Sequence, residues 1–454
     1  MPNTSRTLNV QQFIDEQRFT PYQWCILICC FLLVAIDVYD AVAVGFVVPV
    51  LAQAWNVSKA EFGLVMSAAV FGLAIGALIA GPLFDRISPK TVIVCSMFTF
   101  GLCSIGTMTA DSLTSLGIWR LLTGIGLGAA LPGAATLMFE YAPARMNALL
   151  VNAIGCGALV GATACGLISA ALVPAYGWES VFIIGGVFPI VLGVVMLFAT
   201  PQPLRFMVLR SWPSDRIAAV LRRIAPGKSF DDTRFVLSEE PQAQQQTGVS
   251  VVLSKRFRSG TLMLWTAYFC AATVYYLMLG WLPTLIQGTG ATLQQATLAT
   301  TLLAAGGIIG TFGLGWLMGR FDRDLVIAAA FALGGLGIWI AGHQAGNLAL
   351  LAACIFIAGI GISGAIGSMA FLAAAFYPTS GRSTGISWMQ GIGRFGGIVG
   401  PIAGATMLKE NFSFSTVFTI MMCVVLAAAA ALLMKRAAAS RASASVSAVQ
   451  SESA

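Results

Sequence analysis

The chain is 454 residues long, 58% hydrophobic and only 9% charged, with a mean hydropathy of +0.86. Soluble domains carry about 25% charged residues, so this composition excludes a soluble globular protein and leaves a polytopic α-helical membrane protein. The formal charge of +7 does not point to nucleic acid, because the basic residues are sorted by side.

Of the 25 Lys and Arg, Arg120 and Arg394 fall inside apolar runs and Lys59 and Lys409 in loops on one side; all the others fall on the opposite side. That asymmetry follows the positive-inside rule and predicts both termini in the cytoplasm. Residues 1–21 are polar, so no cleavable signal peptide is expected and the first apolar run directs insertion. Twelve spans are predicted, at roughly 22–51, 61–83, 90–109, 113–140, 146–172, 179–200, 261–287, 293–318, 325–343, 347–377, 382–408 and 413–434. The only long polar stretch between them is basic and holds a short amphipathic pattern, Arg216 to Ile224, expected to lie on the inner leaflet. The architecture read from this pattern is all-α, with twelve transmembrane helices in two pseudo-symmetric six-helix bundles. The bundles cover 1–200 and 258–440, with a cytoplasmic linker at 201–257 and a disordered Ala/Ser-rich tail at 441–454.

Span one carries Asp37 and Asp40 within Ala35-Ile36-Asp37-Val38-Tyr39-Asp40-Ala41. A carboxylate at the centre of a spanning helix costs about 2.5–3.5 kcal/mol on insertion scales. At i and i+3 the two share a face, which must look into protein or water. A structural pair would satisfy that; a proton or substrate site is the stronger reading. Span four carries Arg120 about seven residues in, or about 10 Å deep at 1.5 Å per residue, and Asp40 is about 15 Å deep on the same rise. If the two helices adjoin, they can pair, and a proton on Asp40 would then release Arg120. Asp37, Asp40 and Arg120 are therefore the candidate proton-coupling residues, although Arg120 could instead cap carbonyls.

Further along, Glu140 and Arg145 close the inner end of span four and Arg382 opens span eleven, so Glu140 with Arg382 is a candidate inner-gate salt bridge. Arg394 lies about 18 Å into span eleven, and its repeat-related position is near Ala158, so symmetry does not require it. A guanidinium at that depth can receive a carboxylate in a bidentate fashion. Tyr39, Tyr275, Trp281 and Trp388, with Phe269 and Tyr276, are candidate aromatic walls beside it, each with ordinary packing as its alternative. The ten Cys lie in apolar runs without a CxxC pair and read as small packing residues. His343 is the lone histidine, so no metal site is expected, and no cofactor is implied. Neither a P-loop nor a catalytic set is present, so ATP is not expected to drive this protein and it does not read as an enzyme.

The two halves repeat at an offset of about 235 residues: Gly81-Pro-Leu-Phe-Asp-Arg86 with Gly315-Trp-Leu-Met-Gly-Arg320, Thr123-Gly-Ile-Gly126 with Ala358-Gly-Ile-Gly361, and Pro143 with Pro378. Parallel six-span repeats joined by a basic loop are the pattern of a two-bundle transporter. The segment Gly81 to Lys90, with Asp85 and Arg86 at its centre, and Arg120-Leu-Leu-Thr-Gly-Ile-Gly-Leu-Gly128 resemble two signatures of the major facilitator superfamily. Asp85 and Arg86 then read as gating residues, with Asp322 as the candidate in the second half, where the aspartate position is Gly319. The paired aspartates with Gly45 and Pro49, Glu140-Tyr141-Ala-Pro143-Ala-Arg145, Trp281-Leu-Pro-Thr284, Tyr377-Pro-Thr379 and Gly391-Ile-Gly-Arg394 are similar to the aromatic acid:proton symporter branch, although Val38 replaces that branch's glycine.

That resemblance implies proton-coupled import of a benzoate- or hydroxybenzoate-like anion by alternating access, in a bacterial inner membrane, by a monomer in lipid without nucleic acid. An aliphatic dicarboxylate would use Arg394 equally well. A drug:proton antiporter is disfavoured because span five lacks a Gly-Pro motif, while Gly400-Pro401 lies in span eleven.

Overall fold

The computed structural model describes residues 6–230, 233–237, 248–254 and 256–452. Spans one to six are Pro21–Ala54, Phe62–Arg86, Pro89–Thr107, Leu113–Tyr141, Asn147–Tyr176 and Glu179–Ala199. Spans seven to twelve are Arg258–Gln287, Leu293–Met318, Arg323–Gly342, Leu348–Phe376, Thr379–Lys409 and Phe414–Ala438. Eleven of these carry windows long and apolar enough to cross a membrane among the described residues. Thr379–Lys409 is the twelfth: at 31 residues it has the length, and its Ser, Thr, Gly and Arg content lowers its hydropathy. Most boundaries fall within about four residues of the sequence pattern. The last helix runs further, through the Ala/Ser-rich stretch to Glu452, where alanine favours helix.

Local signals set several ends. Ser112 caps span four, Thr292 span eight, Asp322 span nine and Asn347 span ten, each accepting from a backbone N–H in the first turn. Span four breaks at Gly128, between Leu113–Leu127 and Ala130–Tyr141. Span ten carries a π-helical turn at Gly359–Ser363.

The chain forms two compact units, one of Met1–Ala41, Phe71–Gly161 and Phe182–Ala243, the other of Val42–Val70, Ala162–Val181 and Gln244–Ala454. In the first, span two crosses span four on a Gly-x-x-x-Gly step. A Cβ at Gly72 would lie 2.2 Å from the Leu121 carbonyl oxygen, and one at Gly76 would lie 2.1 Å from that of Ile125. The second unit repeats the crossing about 235 residues later: Gly306 meets the Phe356 carbonyl and Gly310 that of Ile360, both at 2.3 Å. Only glycine permits such backbone approach, which is how helices pack where lipid gives no hydrophobic drive.

The first unit also holds a small polar-side module. Strand β1 (Arg6–Asn9) pairs in parallel with strand β2 (Thr233–Val236). Phe13 of the helix Val10–Glu16 packs edge-on against Phe230 at 5.4 Å. The helix Ser214–Ile224 contacts β2, and its apolar residues Ile217, Ala218, Leu221 and Ile224 are all buried. Its apolar face is therefore covered by protein, and the expected seat on the inner leaflet is corrected: amphipathicity specifies that a face needs cover without specifying which cover.

In the second unit, the ends of spans one, two and five remote from the linker pack on spans seven, eight and eleven. Ser67 Oγ donates to the Ile398 carbonyl at 3.0 Å, and Lys59 Nζ to Gln287 Oε1 at 3.4 Å. A Cβ at Gly45 would meet the Leu279 carbonyl oxygen at 2.6 Å.

Candidate functional site

In the first unit, Arg120 and Asp40 meet. Arg120 Nη2 lies 2.6 Å from Asp40 Oδ2 and also donates to the Asp40 carbonyl at 2.8 Å, with both side chains fully buried. Span one can bring Asp40 this close because it packs on neighbours along small residues: a Cβ at Gly161 would lie 1.8 Å from the Ala35 carbonyl oxygen. Arg120 also stacks its guanidinium 5.5 Å from the Phe182 ring of span six. Its Nε and Nη1 have no hydrogen-bond acceptor among the described residues. One carboxylate thus carries most of the compensation for this buried charge, so changing that carboxylate's charge has large consequences.

Ser104 of span three was not legible as a site residue. Its Oγ donates to Asp40 Oδ1 at 2.5 Å, so both carboxylate oxygens are engaged. Span six seals the group with a glycine: a Cβ at Gly185 would come within 2.9 Å of Asp40 Oδ1, 3.1 Å of Ser104 Oγ and 3.4 Å of the Tyr39 ring. Tyr39 is thereby placed beside Asp40, and Asp37, one turn away, is also buried. A lone serine in an apolar span carries no sequence signal of its own.

The second unit holds Arg394, partly exposed, among tyrosines of span seven. Gly393 seats Tyr268, whose ring edge would lie 2.2 Å from a Cβ there, and Gly397 seats Tyr276 at 3.2 Å. Tyr275 stands edge-on to Tyr276 at 5.6 Å. Glycines on either side of Arg394 in span eleven therefore pack against tyrosines of span seven. Tyr268 was missed, because the glycine that admits it lies more than 100 residues away.

Two of the expected wall residues make contacts of their own. Trp281 is fully buried, with Nε1 donating to the Pro401 carbonyl at 2.9 Å and its ring against Gly404, so it braces span seven on span eleven. Trp388 sits six residues before Arg394, about 120° around the helix at 3.6 residues per turn. It lines a shallow apolar groove with Trp265, Ile392 and Phe395 instead.

The expected gating residues divide. The side chains of Asp85, Arg86 and Arg382 lie outside the described residues. Glu140 Oε2 accepts from the backbone N–H of Arg205, in the first turn of the linker helix Leu204–Leu209. Arg145 donates to the carbonyls of Asp15 and Gln17, holding the N-terminal segment. In the second unit Asp322 pairs with Arg436 at 3.3 Å and Asp324 with Lys435 at 2.5 Å. His343 contacts the Trp339 carbonyl, and no His/Cys/Asp/Glu group suited to a metal occurs among the described residues.

A family model described as Major Facilitator Superfamily matches this chain twice, over residues 30–290 and 264–451. The chain belongs to the major facilitator superfamily. It is 43% identical over 415 residues to the 4-hydroxybenzoate transporter PcaK of Pseudomonas aeruginosa, covering 91% of this chain and 93% of that one. It is 40% identical to the gallate transporter of Pseudomonas putida, over 92% and 93% of the two chains. These relatives place it among the superfamily's aromatic acid transporters, a family of multi-pass membrane transporters and not of enzymes. The fold agrees with solved members: a bacterial homologue of the human lysosomal transporter Spinster, inward-facing and occupied, has a TM-score of 0.71 at 16% identity over 92% of this chain and 97% of that one. The inward-open xylose transporter XylE from E. coli has a TM-score of 0.70 at 17% identity, over 90% and 94%.

Proposed function

We propose that this protein imports an aromatic carboxylate, of the benzoate or hydroxybenzoate class, together with protons by alternating access. The names of relatives at 40–43% identity over nine-tenths of each chain support the substrate class. The observation that carries the coupling is the fully buried Asp40–Arg120 pair. An ionised carboxylate there is held by a cation; a proton on it removes the attraction and leaves Arg120 to find other partners, which favours a different conformation. Arg394, in a stretch of span eleven whose glycines pack on Tyr268 and Tyr276, supplies a receptor for the anion.

In this reading the basic side is the cytoplasm of a bacterial cell, with the protein in the inner membrane and both termini inside. The contacts of Ser67, Lys59 and Gly45 then lie on the outer side and act as an outer closure. The halves 1–200 and 258–440 are the rocking bundles, and a single chain carries the cycle. A proton enters from outside, the anion binds at Arg394, the outer side closes, and proton and anion leave inward, driven by the proton gradient.

Uptake of labelled 4-hydroxybenzoate into proteoliposomes under an imposed pH gradient tests this. Accumulation that collapses with an uncoupler and is lost in Asp40→Asn is expected. Accumulation indifferent to both would overturn proton coupling, and preferential uptake of succinate would overturn the substrate class.

A further inference from the structure

Asp40 is held by more than its arginine. Its Oδ2 faces Arg120 Nη2 at 2.6 Å and its Oδ1 accepts from Ser104 Oγ at 2.5 Å. Ser104 has no exposure, and its Oγ is also 3.4 Å from the Phe182 carbonyl of span six. Among the described residues, the charged and titratable groups around Asp40 are Asp37 and Tyr39 on its own helix, Cys103 from span three and Arg120 from span four; span six brings Phe182 and Gly185.

Resting on the symport reading above, we propose that Ser104 is a positioning residue for proton coupling, holding the Asp40 carboxylate against Arg120 and setting the pH at which transport takes up its proton. The physical reason is directional. A hydroxyl donating to Oδ1 favours the charged carboxylate, since a protonated Asp40 offers a weaker acceptor. When the proton arrives, the Ser104 hydroxyl has the Phe182 carbonyl as a second acceptor, so it need not be left unsatisfied in the bilayer interior. The same hydroxyl therefore serves both states, joined to span one in the charged state and to span six in the neutral one. Gly185 is part of the device: any side chain there enters the space of both Asp40 Oδ1 and Ser104 Oγ.

The test is the pH dependence of 4-hydroxybenzoate uptake in proteoliposomes of the full chain. Proton-coupled uptake is expected to fall as the external pH rises. In Ser104→Ala that fall is expected about one pH unit higher, the size of one lost hydrogen bond to a charged group. Ser104→Thr, which keeps the hydroxyl, returns the midpoint toward that of the unaltered protein. Gly185→Ala, which crowds the same bond by an independent route, moves the midpoint in the same direction as Ser104→Ala. A Ser104→Ala profile that superimposes on the unaltered one, or a Gly185→Ala shift in the opposite direction, would overturn the proposal. If Ser104→Ala does not yield folded protein, the Gly185→Ala midpoint decides alone. Asp40→Asn separates the two levels: retained pH-driven accumulation there defeats the symport reading itself, whereas lost accumulation with an unshifted Ser104→Ala profile defeats only the role of Ser104.

Discussion

Asp40 and Arg120 lie 80 positions apart in the chain and 2.6 Å apart in space, with neither side chain reaching solvent. Breaking such a pair from one side leaves a buried charge uncompensated, at a cost of about 3–5 kcal/mol. Arg120→Gln and Asp40→Asn are each expected to lower the thermal unfolding midpoint in detergent markedly. The double variant should be less destabilised than the sum of the two, because it buries no unpaired charge. Additive losses would show that the residues do not act on each other.

Close helix approach makes a sharper prediction from two glycines in the same span. At Gly161 a methyl would collide with the Ala35 carbonyl oxygen, whereas at Gly155 nothing lies within 4 Å. Gly161→Ala is expected to destabilise by about 1–3 kcal/mol through forced helix separation. Gly155→Ala should be neutral or stabilising by up to about 1 kcal/mol. Detergent melting curves of the two variants, side by side, check this.

Arg394 can be probed without touching it. An alanine at Gly393 would strike the Tyr268 ring, which has to shift from its place next to the residue that precedes Arg394. The apparent KM for 4-hydroxybenzoate is expected to rise roughly tenfold, about 1.4 kcal/mol of binding, with surface expression retained. An unchanged KM would remove Tyr268 from the substrate's surroundings.

Trp281 distinguishes a brace from a wall. Trp281→Phe keeps most of the ring and loses only the Nε1 bond to the Pro401 carbonyl. Stability should fall by about 1 kcal/mol, with no change in substrate competition among benzoate analogues. A change in analogue preference would return Trp281 to the binding surface.

Much of this was legible from residue order because it is local. Hydropathy over about 20 residues marks a span whatever surrounds it, and a capping residue such as Thr292 announces its helix within three positions. The repeated glycines of spans four and ten were visible as a motif, and the partners they admit, Gly72 with Gly76 and Gly306 with Gly310, obey the same offset. Asp40 and Arg120 stood out because charge is rare in lipid, and comparable depth made a pairing reasonable before any packing was known.

Ser104, Gly185 and Tyr268 are ordinary in sequence and informative only by neighbour. Ser104 becomes part of a carboxylate site because spans one, three and six converge there, and Tyr268 because Gly393 leaves room for its ring. Trp388, six residues from Arg394 in the chain, lines an apolar groove with Trp265, a partner that chain order does not reveal. The helix Ser214–Ile224 shows the same division, since its pattern required a covered face, and strand β2 and the helix Leu204–Leu209 pack against it. By itself the amino-acid order determined the spans, their repeat and the few charges worth burying, for these depend on each segment's exchange with lipid and water. Which side chains those charges meet was decided only by tertiary packing, because a contact across 60 or more residues depends on the fit of whole helix surfaces.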